Sequence, residues 1–87
     1  MRKTYKSTLK DFFHRWLVRR RVELNLTQAE MSELLVMDER SYIDLDHGKS
    51  CCSALTLALF IVYVCEDVYQ FVEELRNAFN AGKENAA

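Results

Sequence analysis

The sequence predicts an all-α fold, a compact bundle of five helices, and three observations carry the prediction. The 87-residue chain has no proline and only two glycines, Gly48 and Gly82, too few turn residues for a sheet fold of this size. Hydrophobic residues make up 49% of it, so it can bury a core rather than stay disordered. Apolar residues also recur at three- and four-residue spacing along most of its length. A chain this short makes one domain, and its stability has to come from a dense core or from oligomerisation.

Residues 1–7 read as a basic N-terminal arm containing Arg2, Lys3 and Lys6. The first helix is expected to open at Ser7 or Thr8, because Thr8 and Asp11 are spaced like a capping box. Leu9, Phe12, Phe13, Trp16, Leu17 and Leu24 then form one apolar stripe, with Lys10, Arg15 and Arg19 away from it. Phe12 and Trp16 share the stripe, which favours core packing over base stacking. Asn25 tolerates left-handed backbone and can end the helix.

Thr27 and Glu30 have capping-box spacing and open a second helix to about Leu35, with Met31, Leu34 and Leu35 as its apolar side. After a break at Val36 and Met37, Asp38 caps a third helix that runs to about His47, and Gly48 stops it. Tyr42 and Leu45 of this helix point inward. Residues 50–53 connect to a fourth helix, Ala54 to Cys65, apolar nearly all round and therefore buried on several sides. Glu66 and Asp67 open a fifth helix bearing Val68, Phe71, Val72, Leu75 and Phe79. Residues 81–87 read as a flexible C-terminal tail, which leaves 8–80 as the domain.

The formal net charge of -1 hides an asymmetry. Residues 1–22 hold eight Lys/Arg against Asp11 alone, while the rest of the chain holds four Lys/Arg against twelve Asp/Glu. A basic segment on an acidic body suits a polyanion partner, or it complements the body itself. Cys51, Cys52 and Cys65 have no metal spacing and read as free thiols in a reducing, cytoplasmic setting. The longest apolar run has twelve residues, too few to span a bilayer. No phosphate loop, paired-carboxylate site, nucleophile pattern or metal-ligand cluster emerges, so neither an enzyme nor a cofactor is expected.

Residues 21–49, "RVELNLTQAEMSELLVMDERSYIDLDHGK", resemble the helix-turn-helix unit of the phage repressor, Cro and XRE family. Arg21, Leu26, Thr27, Gln28, Glu30, Met31, Ser32, Leu35, Tyr42, Leu45, Asp46, Gly48 and Lys49 fall in register without a gap. The resemblance implies a lambda-repressor-like bundle whose third helix, about 39–47, lies in the major groove of double-stranded DNA as part of a transcriptional regulator. It places Glu39, Arg40, Ile43 and Asp44 at base edges. Thr27, Gln28, Ser41, Lys49 and Ser50 fall at the DNA backbone, and Arg21 pairs with Asp46 to link the first helix to the third. Val36 stands where the family has a turn glycine, which predicts a rearranged turn because a β-branched residue is strained at positive φ.

The third helix is acidic for a DNA reader. Asp38 is accounted for as a cap and Asp46 as the partner of Arg21. Glu39 suits the helix dipole, and Asp44 is expected to pair with Arg40 at i, i+4. Compensating phosphate contacts would come from Arg19 and Arg20 of the first helix and from the arm. The fifth helix either closes the core or leaves an apolar strip for a homodimer. The alternative function is a degenerate helix-turn-helix protein that acts through protein contacts, as an antitoxin-like or inhibitor-like adaptor, with little or no DNA binding.

Overall fold

The computed structural model describes residues 2–86, and side chains from Arg2 to Gly82. Five helices follow one another: α1 (Arg2–Glu23), α2 (Gln28–Leu34), α3 (Glu39–Asp46), α4 (Ala54–Leu59) and α5 (Val68–Ala86). A π-helical turn, Phe60–Val64, continues α4. No strand occurs among the described residues.

α1 begins six residues earlier than its capping signal suggests, so the basic arm is helical. The reason lies in Tyr5, which extends the stripe of Leu9, Phe12 and Trp16 backward by one turn. Its ring meets Phe79 of α5 edge-on at 5.4 Å. Thr8 and Asp11 therefore sit inside a helix and form no box. The expected tail is helical too, and α5 passes so close to α1 that a Cβ on Gly82 would lie 3.2 Å from Thr8 Oγ1. Each terminal segment supplies the surface that orders the other. Met1 and Ala87, the outermost residues of the expected arm and tail, lie outside the described residues.

α1 and α5 run antiparallel, since Tyr5 meets Phe79 while Phe12 and Trp16 meet Phe71. Phe71 is fully buried at the centre of the aromatic core, with ring centroids 5.3 Å from Phe12, 5.1 Å from Trp16 and 5.5 Å from Phe60. The pairs with Phe12 and Trp16 are edge-on, and such pairs add about 0.5–1.5 kcal/mol each beyond the area they bury. Phe13, Leu17, Met31, Leu35, Tyr42, Leu45 and Val64 complete the core. Phe12 and Trp16 are thus core residues. Leu24, placed in the buried stripe by its spacing, lies beyond the end of α1 and is exposed, as is Leu34 on α2.

Three helices end by one device. In the Schellman motif a left-handed residue reverses the chain, and two amides return to carbonyls of the last turn. At the end of α1, Asn25 takes φ 56° and the amides of Asn25 and Leu26 donate to the carbonyls of Val22 and Arg21. At the end of α3, Gly48 takes φ 72° and the amides of Gly48 and Lys49 donate to Leu45 and Asp44. Between them, at the end of α2, Val36 takes φ 53° and the amides of Val36 and Met37 donate to Glu33 and Ser32. The turn is therefore not rearranged. Two amide bonds and the packing of Met37 against the core hold a β-branched residue where glycine fits best.

The fourth helix departs from the expected continuous Ala54–Cys65 α-helix. Ser53 caps it, accepting from the amide of Thr56, and after Leu59 the chain widens so that the Cys65 amide donates to the Phe60 carbonyl at 2.8 Å. Phe60 and Val64, at the two ends of this wider turn, both lie in the core. Asp67 then caps α5 by accepting from the amide of Gln70 at 2.9 Å.

Candidate nucleic-acid interface

Between α2 and α3 only residues 35–38 intervene, and both helix starts are capped from within. Thr27 Oγ1 accepts from the Glu30 amide while the Glu30 carboxylate accepts from the Thr27 amide. Asp38 accepts from the Ser41 amide at 2.9 Å. These bonds hold the carboxyl groups of Glu30 and Asp38 below the usual carboxylate range.

Asp46 is the polar centre that joins α1, α2 and α3, and it is only 6% exposed. Arg21 Nε donates to its Oδ1 at 2.9 Å and the Tyr42 hydroxyl donates to the same oxygen at 2.9 Å. Gln28 Nε2 and Arg21 Nη2 donate to Oδ2 at 3.0 and 3.4 Å. Burial disfavours the charged carboxylate, but the bonds from Arg21, Gln28 and Tyr42 outweigh it and hold Asp46 below the ordinary value. Burial, with the bond to Asp46, drives the Tyr42 hydroxyl far upward, so it stays a donor. The Asp46 hydrogen bond, partly opposed by burial, raises the Arg21 guanidinium pKa.

With Asp38 and Asp46 fixed in this way, the outward face of α3 holds Arg40, Ile43, Asp44 and His47, which share one side at helical spacing. Glu39 stands at its edge. The expected Arg40–Asp44 ion pair does not form, and Arg40 has no ion pair among the described residues. His47 was not among the expected contacts, because the sequence marks it only as the last residue of the third helix before the Gly48 stop. Its place seven residues after Arg40 is the signal that marks it.

The candidate backbone residues divide. Thr27 is exposed at the start of α2 with its oxygen engaged in the cap, and Gln28 is turned to Asp46. Arg20 is committed elsewhere: Nε donates to the Val64 carbonyl at 2.7 Å, and Nη1 lies 3.4 Å from Glu66 and 3.8 Å from Glu23. Arg19 stacks over the Trp16 ring at 4.1 Å. Two residues from Arg21 on a helix is roughly 200° of rotation, so Arg19 faces away from α3. Ser41 is exposed beside Asp38, facing the connection that contains Ser50 and Ser53.

Lys49 and Ser50 do converge with other cations. Together with Lys3, Lys6, Ser7 and Lys10 of α1 they line an open cleft of about 480 Å³. Lys3, Lys6 and Lys10 fall on one side of α1 at i, i+3 and i+7. That alignment appears only once α1 is carried back to Arg2, and the spacing of Tyr5 to the apolar stripe is the signal that would have done so.

Cys52 and Cys65 are not poised for chemistry. Burial, with the neighbouring Cys51 thiol, pushes Cys52 up to about 12, and burial also raises Cys65. A thiol held neutral is a poor nucleophile and metal ligand. Among the described residues no group of three His, Cys, Asp or Glu could hold a metal ion, and no helix is long and apolar enough to cross a membrane. No protein-family model matches the chain, and neither the curated proteins nor the solved structures contain a match to it.

Proposed function

We propose that the chain is a DNA-binding transcriptional regulator of the Cro/C1 helix-turn-helix type, with α3 in the major groove of a duplex and occupancy of an operator as its mechanism. One observation carries this reading. Two of the four acids in the α3 segment, Asp38 and Asp46, are tied to the Ser41 amide and to Arg21, Gln28 and Tyr42, while Arg40 stands on the outward face with no ion pair among the described residues. That face has the chemistry of direct readout. Arg40 suits the O6 and N7 acceptors of guanine, Asp44 accepts from a cytosine amino group, and Ile43 packs on a thymine methyl.

A homodimer would double the contacts, and α5 supports one. Phe71 closes the core and Phe79 packs on Tyr5, but Val68 and Val72 stay partly open and Tyr69 is 83% exposed. The test is fluorescence anisotropy on a pool of randomised duplexes at low and physiological salt. Arg40→Ala relaxes base preference by about 1–3 kcal/mol, and Asp44→Asn strengthens non-specific binding. A protein that binds no duplex at low salt overturns the proposal.

A second reading is an adaptor that works through protein contacts. Two carboxylates, Glu39 and Asp44, at the outer face of α3 favour it, as do the exposed apolar residues Val62, Tyr63 and Tyr69 on the π-helical turn and α5. It predicts that Tyr69→Lys abolishes partner capture while Arg40→Ala leaves it intact.

A further inference from the structure

We propose that the cleft between the first three turns of α1 and the segment after α3 is a groove for the phosphates of one nucleic-acid strand, with Lys3, Lys6, Lys10 and Lys49 as its cations. The inference rests on the DNA-binding reading and assigns it a backbone site that Arg19 and Arg20 cannot provide.

Four observations bear on it. No carboxylate lines the cleft; its other polar groups include the hydroxyls of Ser7 and Ser50, which can donate to phosphate oxygens. Among the described residues none of the four lysines is in an ion pair, all of which use Arg20, Arg21 or Arg76. Four like charges around one cleft repel each other and focus a field that an anion relieves. The cleft is also open rather than enclosed, and Lys3 and Lys10 are separated by about 10 Å of helix rise. One free phosphate meets only part of such a row, whereas a strand presents one phosphate after another along it. Finally, Lys49 and Ser50 come just after the Gly48 turn that ends α3, so the wall of the groove facing α1 is the chain leaving α3. The proposal has a duplex seated on the outward face of α3 continue into this groove.

The experiment measures duplex affinity against salt for the full chain and for Lys6→Gln/Lys10→Gln, Lys49→Gln and the control Arg15→Gln/Arg19→Gln, which removes two charges from another side of α1. Thermal melts establish that each variant is folded. The double lysine variant lowers the slope of log K on log salt by about 1.8 and Lys49→Gln by about 0.9, equally for unrelated sequences, while the control keeps the wild-type slope. Unchanged slopes in the lysine variants, or an equal fall in the control, overturn the groove. Sodium tripolyphosphate serves as the free-phosphate probe, and if it binds more tightly than duplex the proposal is overturned. Reduced lysine slopes without any effect of Arg40→Ala on base preference keep the groove and reject readout by α3. The opposite pattern keeps readout and rejects the groove, and no duplex binding at low salt rejects both.

Discussion

The Arg21 guanidinium and the Asp46 carboxylate meet across 2.9 Å between the end of α1 and the end of α3. Their bond fixes the angle at which α3 leaves the body, and Gln28 and Tyr42 complete the carboxylate's shell. A side chain that sets the pose of α3 is thus placed beneath the exposed face rather than on it.

This arrangement predicts an acid-labile fold. Asp46 has a folded pKa below the unfolded value of about 3.9, so its contribution is complete above that pH and is lost as pH falls through the folded value. Glu30 and Asp38 act with the same sign. Urea midpoints measured from pH 7 downward should hold steady to about pH 5 and then decline. Asp46→Asn should start about 2 kcal/mol lower at neutral pH, because Arg21 loses its counter-charge, and should decline less steeply. A slope identical to wild type would show that Asp46 does not carry the acid sensitivity.

Val36 predicts a gain of stability by substitution. Its φ of 53° costs a side-chain-bearing residue about 1–2 kcal/mol, and glycine recovers most of this less its own chain entropy. Val36 is 78% exposed, so removing its side chain leaves no cavity. Val36→Gly should stabilise by about 0.5–1 kcal/mol and raise the melting temperature by several degrees. A lower melting temperature would mean that the valine makes contacts which outweigh its strain.

Gly48 predicts the reverse. It combines φ 72° with a close neighbour, since an added Cβ would stand 3.2 Å from Cγ and Cδ2 of the His14 ring. Gly48→Ala should cost about 2 kcal/mol, the sum of left-handed strain and crowding. A double-mutant cycle with His14→Ala separates the two: the crowding part should be recovered and the strain part retained. Full additivity would place the whole cost in the backbone.

The five helices were legible because each carries a local signal. Apolar spacing marks their faces, and Thr27, Asp38 and Asp67 mark three of their starts. What escaped depends on pairing between distant segments. The helical arm is ordered by Tyr5 on Phe79, 74 residues apart, and no local pattern around Thr8 reports that contact. The π-helical turn is equally silent, because its residues are apolar whichever helix they form. At the site, the Arg21–Asp46 pair was legible only as what the resemblance of residues 21–49 to the repressor unit implies. The fate of Gln28 and Arg20 did not, because a polar side chain at a helix surface reads the same whether it faces solvent or a carboxylate or carbonyl from another element.

Arg20 therefore makes the sharpest separation between stability and binding. Its charge on the basic first helix made it a candidate phosphate contact, yet its Nε–H donates to the Val64 carbonyl at the end of the π-helical turn at 2.7 Å. A charged donor to a carbonyl contributes about 1.5–3 kcal/mol when buried, and partial exposure of this side chain brings that nearer about 1 kcal/mol. Arg20→Met keeps the aliphatic stem and removes the donor. It should lower the melting temperature by about 4–8 °C while leaving the salt dependence of duplex binding at the wild-type slope. A reduced slope with unchanged melting would move Arg20 back to the proposed DNA surface and require the Val64 carbonyl to find another donor.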